Sequence, residues 1–184
     1  MEKKVLLHIK NENHMIMKNV ALNTLIALLL IISPIVFAQE SPTVHAEKTV
    51  NGLTIKIDYS SPQVRDRVIW GGLEPYDKVW RTGANNATTL EVTENAKIGK
   101  NKLPAGKYAL FTIPMKGDTW TVIINKVADQ WGAYNYKEGE DLFRFDVKVD
   151  RTIDISESLK FDILDDGTVV FAWEYKSFKF KIEK

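Results

Sequence analysis

The sequence predicts an all-β protein, an antiparallel β-sandwich of two packed sheets with two long aromatic-rich loops. Short segments in which apolar and polar residues alternate recur along the chain, and this period of two is typical of strands with one buried face. Turn residues separate several of these segments, and no segment after residue 38 has a sustained helical period. Many short strands at close spacing favour a sandwich or a barrel, and two packed sheets bury their apolar faces against each other.

Each alternating segment places its large apolar side chains on one face. The first covers residues 52–59, where Leu53, Ile55, Ile57 and Tyr59 share one face and polar residues occupy the other. The inward residues of the later segments are Leu90 and Val92; Trp120, Val122 and Ile124; Phe143, Phe145, Val147 and Val149; Leu159, Phe161 and Ile163; Val169, Phe171, Trp173 and Tyr175; and Phe178, Phe180 and Ile182. The chain has no Cys and cannot form disulfides. A core of this size can stabilise a domain without them.

Two turns join neighbouring strands. Between residues 101 and 108, Pro104 presets one backbone φ angle and Gly106 accepts a positive one, as a reverse turn requires. The string Asp165-Asp166-Gly167-Thr168 separates two alternating segments and predicts a β-hairpin.

Two stretches, residues 60–87 and 126–140, do not alternate. Connections of this length in a compact domain are usually functional or disordered. Aromatic residues are frequent in both, and they are Trp70, Tyr76, Trp80, Trp131, Tyr134 and Tyr136. Because such large side chains gain much by packing, we expect both stretches to form ordered loops against the sheet.

Four strings in these loops and the strands beside them carry a family resemblance: RVIWGGLEPYDKVWRTGANNATTLEVT, KLPAGKYALFTIP, WTVIINK and WGAYNY. With them, nearly all of the chain after residue 38 resembles the bacterial domain-of-unknown-function family 2911. The Trp-Arg-Thr-Gly-Ala-Asn string is specific, whereas Leu-Pro-Ala-Gly-x-Tyr recurs in other secreted β-domains. The chain departs from the family pattern at Asp66-Arg67, where Gly-Arg is usual, and at Trp70, where Phe is usual. The resemblance implies an exported protein of Bacteroidetes-type bacteria and implies no activity.

The N-terminus itself predicts export. Basic residues surround the start of an apolar run over residues 20–37, which ends in Val36-Phe37-Ala38. A basic region, an apolar region and small residues at the cut are the parts of a secretory signal peptide. We expect cleavage before Gln39, with a cut after Ala46 as the weaker alternative. An uncleaved membrane anchor is the other interpretation, since the run is nearly long enough to span a bilayer. Translation could also start at Met15 or Met17, which would give a signal peptide of more usual length.

The predicted domain organisation follows from that cut. Residues 1–38 form the signal peptide, residues 39–48 a flexible N-terminal arm, and residues 49–184 a single β-sandwich domain. The expected location is the periplasm or the cell exterior.

The charge balance argues against two classes of partner. The full chain has 25 basic and 24 acidic side chains, and residues 1–38 hold four Lys and two Glu, so residues 39–184 carry 21 basic and 22 acidic ones. A net charge of about −1 provides no positive field for nucleic acid and no polybasic patch for anionic lipid. We therefore expect no nucleic-acid partner, and membrane contact only through an uncleaved signal peptide.

No catalytic, metal or cofactor site is predicted. The single His after residue 38 is His45, which lies in the predicted arm, whereas a Ser-His-Asp triad needs a His held in a structured site. Zinc ligands are too few. The acidic groups Glu138, Glu140 and Asp141, and the pair Asp165 and Asp166, are typical of solvated turns rather than calcium loops.

Paired carboxylates keep a hydrolase interpretation open. Glycoside hydrolysis uses two carboxyl groups that face each other, and the long loops carry several. The candidates Glu74, Asp77, Glu138 and Asp141 are equally suited to ion pairs with Arg67, Arg81 or Arg144.

The candidate binding residues are Arg81, Asn85, Trp131 and Tyr134. Aromatic rings offer apolar faces to a sugar or a peptide, and Arg and Asn supply orienting hydrogen bonds. The alternative is structural: Arg81 fastens the first loop to the sheet and Asn85 bonds turn backbone. A noncatalytic binding or accessory module with a glycan or peptide ligand is the leading hypothesis. A purely structural cell-envelope protein is the second hypothesis, and a carboxylate-based hydrolase is the third.

Overall fold

The computed structural model describes residues 40–184, together with His14, Met17 and Lys18. Apart from those three residues, the predicted signal peptide lies outside the described residues. In the described part of the chain, no helix has the length and apolarity that a membrane span needs.

Residues 40–184 are organised around nine antiparallel strands, as the sequence predicts. The strands are β1 (Thr43–Val50), β2 (Leu53–Ser60), β3 (Ala84–Val92), β4 (Ala96–Ile98), β5 (Asn101–Leu103), β6 (Gly106–Ile113), β7 (Thr119–Asn125), β8 (Asp141–Ile163) and β9 (Thr168–Glu183). The one helical element in this range is a 3-10 turn at Glu138–Glu140. The all-β prediction is confirmed.

The strands form one continuous sheet, in the order β1-β2-β3-β6-β7-β8-β9-β4-β5. The two separate sheets of the predicted sandwich are not confirmed. Instead the sheet curls, because the chain after β2 meets the far half of β8: the Ser61 hydroxyl donates to the Leu159 carbonyl at 2.7 Å, and the Phe161 amide donates to the Tyr59 hydroxyl at 3.1 Å. The curl encloses the core. Its largest fully buried side chains include Trp120, Trp173, Phe171 and Phe178.

Strands β8 and β9 are longer than the sequence pattern suggests, at 23 and 16 residues. Each combines two predicted strands, and their pairing changes register between Arg151 and Lys160. In β9 the buried positions switch from odd to even numbers around Glu174, whose φ of 56° marks a bulge. Tyr175, which we predicted to face the core, is therefore only half-buried.

The prediction of a flexible arm over residues 39–48 is wrong for residues 43–48. Residues 43–48 belong to β1, which pairs with β2 along its whole length, from Thr43 opposite Ser60 to Val50 opposite Leu53. Val44 and Ala46 pack against the core. Small apolar residues on one face of a strand give a weak alternation, which explains why the sequence pattern missed it.

Both long loops pack against the sheet, as predicted, although Trp131 and Tyr134 of the second loop remain exposed. In the first, Trp70 lies edge-on to Trp80, Trp120 and Trp173, with ring centroids 4.6 to 5.7 Å apart. The second loop covers the outer face of the sheet, where the ring of Tyr136 lies 5.2 Å from that of Phe111.

Candidate functional site

The second loop runs antiparallel along the start of β3. The Gly132 amide donates to the Asn85 carbonyl, and the Ala87 amide donates to the Gln130 carbonyl, each at 3.0 Å. Between these bonds, Asn86 and Trp131 form an isolated antiparallel bridge. Residues directly opposite each other in such a pair have their side chains on the same face. Trp131 is thus held beside Asn86 while 59% of it remains exposed.

A buried polar network anchors this loop at its base. Asn125, which is fully buried, donates to Asp141 at 2.8 Å and accepts the Val127 amide at 3.0 Å. Asp141 also accepts from the Tyr136 hydroxyl and from Arg144, each at 2.7 Å. Burial and the bond to Asp141 raise the pKa of Tyr136 to about 12, so its hydroxyl stays a donor. These bonds hold residues 126–140, which we call the platform, to the end of β7 and the start of β8.

The acidic residues at the loop's end are used by this network and its neighbours. Arg144 contacts Glu138 at 3.3 Å as well as Asp141, and Lys126 contacts Glu140 at 3.4 Å. Carboxylates already balanced by cations have little charge left to attract a metal ion.

The side chains of Arg81 and Tyr134 both approach Gly132. Its φ is +63°, and a Cβ added there would lie 3.0 Å from Nη1 of Arg81 and 3.1 Å from the Tyr134 ring. The absence of a side chain thus lets a guanidinium and an aromatic ring approach one backbone position. Tyr134 is 80% exposed.

The bend at residues 80–83 fixes the position of Arg81. The Gly83 carbonyl accepts from Nε1 of Trp80 and from Nε of Arg81, each at 3.2 Å. The neighbouring Thr82 is fully buried, has a φ of 52° and shares a 3.1 Å hydrogen bond with the Thr112 hydroxyl. Arg81 is half-buried, so it belongs both to the bend and to the surface.

Asn85 has structural contacts of its own. Its side-chain amide donates to the Ser41 carbonyl at 3.4 Å and to the Ser60 hydroxyl at 3.3 Å. The bond to Ser41 links the start of β3 to the chain that leads into β1.

Glu74 lies within the electrostatic reach of Arg81. Burial raises the pKa of Glu74 to about 7, and the charge of Arg81 acts in the opposite direction. Of the ion pairs considered from the sequence, those of Arg144 with Glu138 and with Asp141 are present.

A cavity of about 360 Å³ lies next to the platform, on the outer face of the sheet. Its walls come from β1, β2, β3, β6 and the second loop. The polar lining residues are Thr43, Asp58, Ser60, Asn86, Thr89, Lys107 and Asp129. Asn86 belongs to this lining and is the bridge partner of Trp131, so it connects the cavity to that exposed ring.

Asp58 is fixed at the floor of the cavity. Its two oxygens contact Nδ1 of His45 at 2.7 Å and Nζ of Lys107 at 3.2 Å. Burial acts to raise the pKa of Asp58, but the bonds from His45 and Lys107 outweigh it, and the pKa lies below its ordinary value. Within residues 40–184 the imidazole of His45 is bonded to this carboxylate and to no serine or threonine hydroxyl.

The comparison with protein families settles the earlier resemblance. The model of a family described as "Protein of unknown function (DUF2911)" matches residues 41–182. The chain belongs to the DUF2911 family. No curated protein and no solved structure matches it. The DUF2911 match covers both long loops and eight complete strands, and its description assigns no activity, so the function has to be argued from the site.

In this DUF2911 protein the four predicted binding residues lie in one region. Arg81 and Tyr134 both approach Gly132, the Asn85 carbonyl accepts from the Gly132 amide, and Trp131 precedes Gly132 in the chain. We name Arg81, Asn85, Asn86, Trp131 and Tyr134 the loop surface.

The sequence reasoning missed the cavity beside the loop surface. Asp58, Thr89 and Lys107 occupy the outward positions of alternating strands, where polar residues are typical of solvated faces. Pairing across strands could have indicated that Asp58 and Lys107 are close, had the register been known.

Proposed function

We propose that this DUF2911 protein is an exported, noncatalytic binding or accessory module, and that its ligand docks on the loop surface and the adjoining cavity. One observation carries the proposal: Trp131 and Tyr134 are 59% and 80% exposed on a loop that the Asn125–Asp141 network holds in place. Large exposed aromatic side chains on a rigid scaffold are typical of recognition sites, because a ligand gains apolar area there at little cost in ordering.

Arg81 and Asn85 support both this proposal and the structural alternative. Each has a backbone or side-chain partner within the domain, as a purely structural envelope protein requires. However, neither bond explains why two large rings beside them face solvent. The binding interpretation accounts for the rings as well as the polar residues.

The hydrolase alternative is less well supported. Asp58 and Asp129 both line the cavity, but a glycosidase needs one carboxyl group that holds a proton. A raised carboxyl pKa is found at Glu74, which is not among the residues that line the cavity, whereas the pKa of Asp58 is lowered. A noncatalytic role therefore fits the cavity better.

Localisation and domain shape are part of the proposal. The predicted signal peptide supports secretion to the periplasm or the exterior. Mass spectrometry of the protein isolated from its native cells should find an N-terminus at Gln39 or close to it. A membrane-retained chain that still begins at Met1, Met15 or Met17 would contradict export. We also infer that the curled sheet works as two facing layers of a sandwich.

The binding role is tested by applying the purified protein to a glycan and peptide array. The double variant Trp131→Ala/Tyr134→Ala should reduce binding to any positive spot by at least about tenfold, since aromatic anchors dominate such sites. Ile153→Ala is the matched control, because Ile153 is 96% exposed on β8, outside the loop surface. An array with no positive spot, or full binding by the double variant, would refute the proposal.

A further inference from the structure

The cavity beside the loop surface places hydrogen-bond donors and acceptors close together. Carboxylates are provided by Asp58 and Asp129, an ammonium by Lys107, and an amide by Asn86. The other lining residues include one aromatic residue and two alanines, and carbon atoms of the polar side chains also form part of the wall. The lining contains no Leu, Ile, Val or Met, the residue types against which the aliphatic anchors of a peptide commonly pack.

Asp58 and Lys107 are arranged to meet hydroxyl groups. They contact each other at 3.2 Å, and both remain partly exposed at the cavity floor. A hydroxyl group donates one hydrogen bond and accepts others, so a pair of adjacent hydroxyls can donate to the carboxylate and accept from the ammonium. The His45 bond at 2.7 Å fixes the carboxylate in advance, which lowers the cost of binding.

The charges near the cavity disfavour a strongly charged ligand. An anionic ligand would meet Asp58 and Asp129, and a cationic one would meet Lys107 and, at the loop surface, Arg81. Because neither sign of charge dominates, the site favours a ligand without net charge, and hydroxyl groups can donate to the carboxylates and accept from the ammonium.

The platform adds an aromatic stacking surface beside the cavity. The bridge to Asn86 holds Trp131 next to the lining, and the flat face of an indole matches the C–H face of a sugar ring. The cavity volume of about 360 Å³ lies at the small end of the range of roughly 300–1,000 Å³ for ligand pockets. That space suits one or two sugar units rather than a long buried chain.

We propose that the ligand of this site is a neutral glycan, one sugar of which stacks on Trp131 while the next is hydrogen-bonded by Asp58, Lys107 and Asn86. This inference rests on the proposed binding function and assigns its ligand class. The cavity residues give specificity, and the exposed rings give most of the contact area.

The test is isothermal titration calorimetry of the purified protein with neutral cello-, xylo-, manno- and malto-hexaose. Oligogalacturonate and a mixed peptide library serve as the competing classes. At least one neutral hexaose should bind, and Trp131→Ala and Asp58→Asn should each weaken it by about tenfold or more. Lys107→Met is a second variant in case Asp58→Asn fails to fold. Asp146→Asn is the matched control, because Asp146 is an exposed carboxylate on β8 that contacts Thr121 instead.

The outcomes distinguish failure of the proposed binding function from failure of the proposed ligand class. Binding of oligogalacturonate or peptide without any neutral hexaose would overturn the glycan assignment and leave the binding function standing. Binding of a neutral hexaose that survives Trp131→Ala, Asp58→Asn and Lys107→Met would overturn the assigned site. No binding by any member of the panel would overturn both.

Discussion

Asn86 and Trp131 face each other across an antiparallel bridge that joins the start of β3 to the second loop. The bridge is flanked by two backbone hydrogen bonds of 3.0 Å, so the exposed indole is positioned before any ligand arrives. A site built in this way loses little conformational entropy on binding. Changes to its supports should consequently affect ligand affinity and stability to different extents.

Replacing Arg81 tests its structural contribution. Arg81→Met removes one hydrogen bond from a charged group to the Gly83 carbonyl, but Trp80 still donates to that oxygen. Because no buried acceptor is orphaned, we expect a loss of about 1 to 2 kcal/mol in the free energy of unfolding. Urea denaturation measures it. A loss under about 0.5 kcal/mol, as at an ordinary surface position, would show that the bond contributes nothing to stability.

Gly132 and Gly99 form a matched pair of glycines. Both have positive φ, +63° and +57°, but an added Cβ at Gly132 meets Arg81 and Tyr134 whereas one at Gly99 meets nothing within 4 Å. Each Ala substitution should cost roughly 1 to 2 kcal/mol through the backbone alone, and Gly132→Ala should cost more. Only Gly132→Ala should also weaken ligand binding. Equal effects of the two substitutions on stability and binding would contradict the close approach of Arg81 and Tyr134 to Gly132.

Glu74 should make stability depend on pH in an uncommon direction. Its pKa is raised from 4.5 to about 7 in the folded protein, so between these values the folded state binds more protons than the unfolded chain. The free energy of unfolding should therefore fall as pH rises through that window, by on the order of 2 kcal/mol. Denaturation at pH 5, 6, 7 and 8 measures this slope. Glu74→Gln should flatten it, and an unchanged slope in that variant would show that another group is responsible.

Much of the strand pattern could be predicted from the sequence because burial of one face imposes a period of two. The pattern failed where that rule is disturbed. Before the bulge at Glu174 the buried positions have odd numbers, up to Trp173, and after it they have even numbers, from Phe178. The alternation is interrupted there, so one strand resembles two. In β1 the inward face carries small residues such as Ala46, so its alternation is faint.

The candidate site was predictable in part. Residue types alone indicated Trp131 and Tyr134, because large rings in an irregular stretch must either pack or recognise something. The cavity was not predictable, since Asp58 and Lys107 come together only through the pairing of β2, β3 and β6. No local pattern in the sequence records that a distant loop carrying Asp129 closes one side of it.

The most direct test of the binding surface is an NMR titration of the isotope-labelled protein with a neutral hexaose. The protein has five Trp, and only the indole N–H of Trp131 lies on the loop surface, while Trp120 and Trp173 are fully buried. We predict that the Trp131 indole signal and the Asn86 side-chain amide shift on binding, and that the signals of the buried indoles stay in place. No shift at Trp131 under saturating hexaose, or shifts confined to another part of the sheet, would contradict the assignment of the loop surface as the binding site.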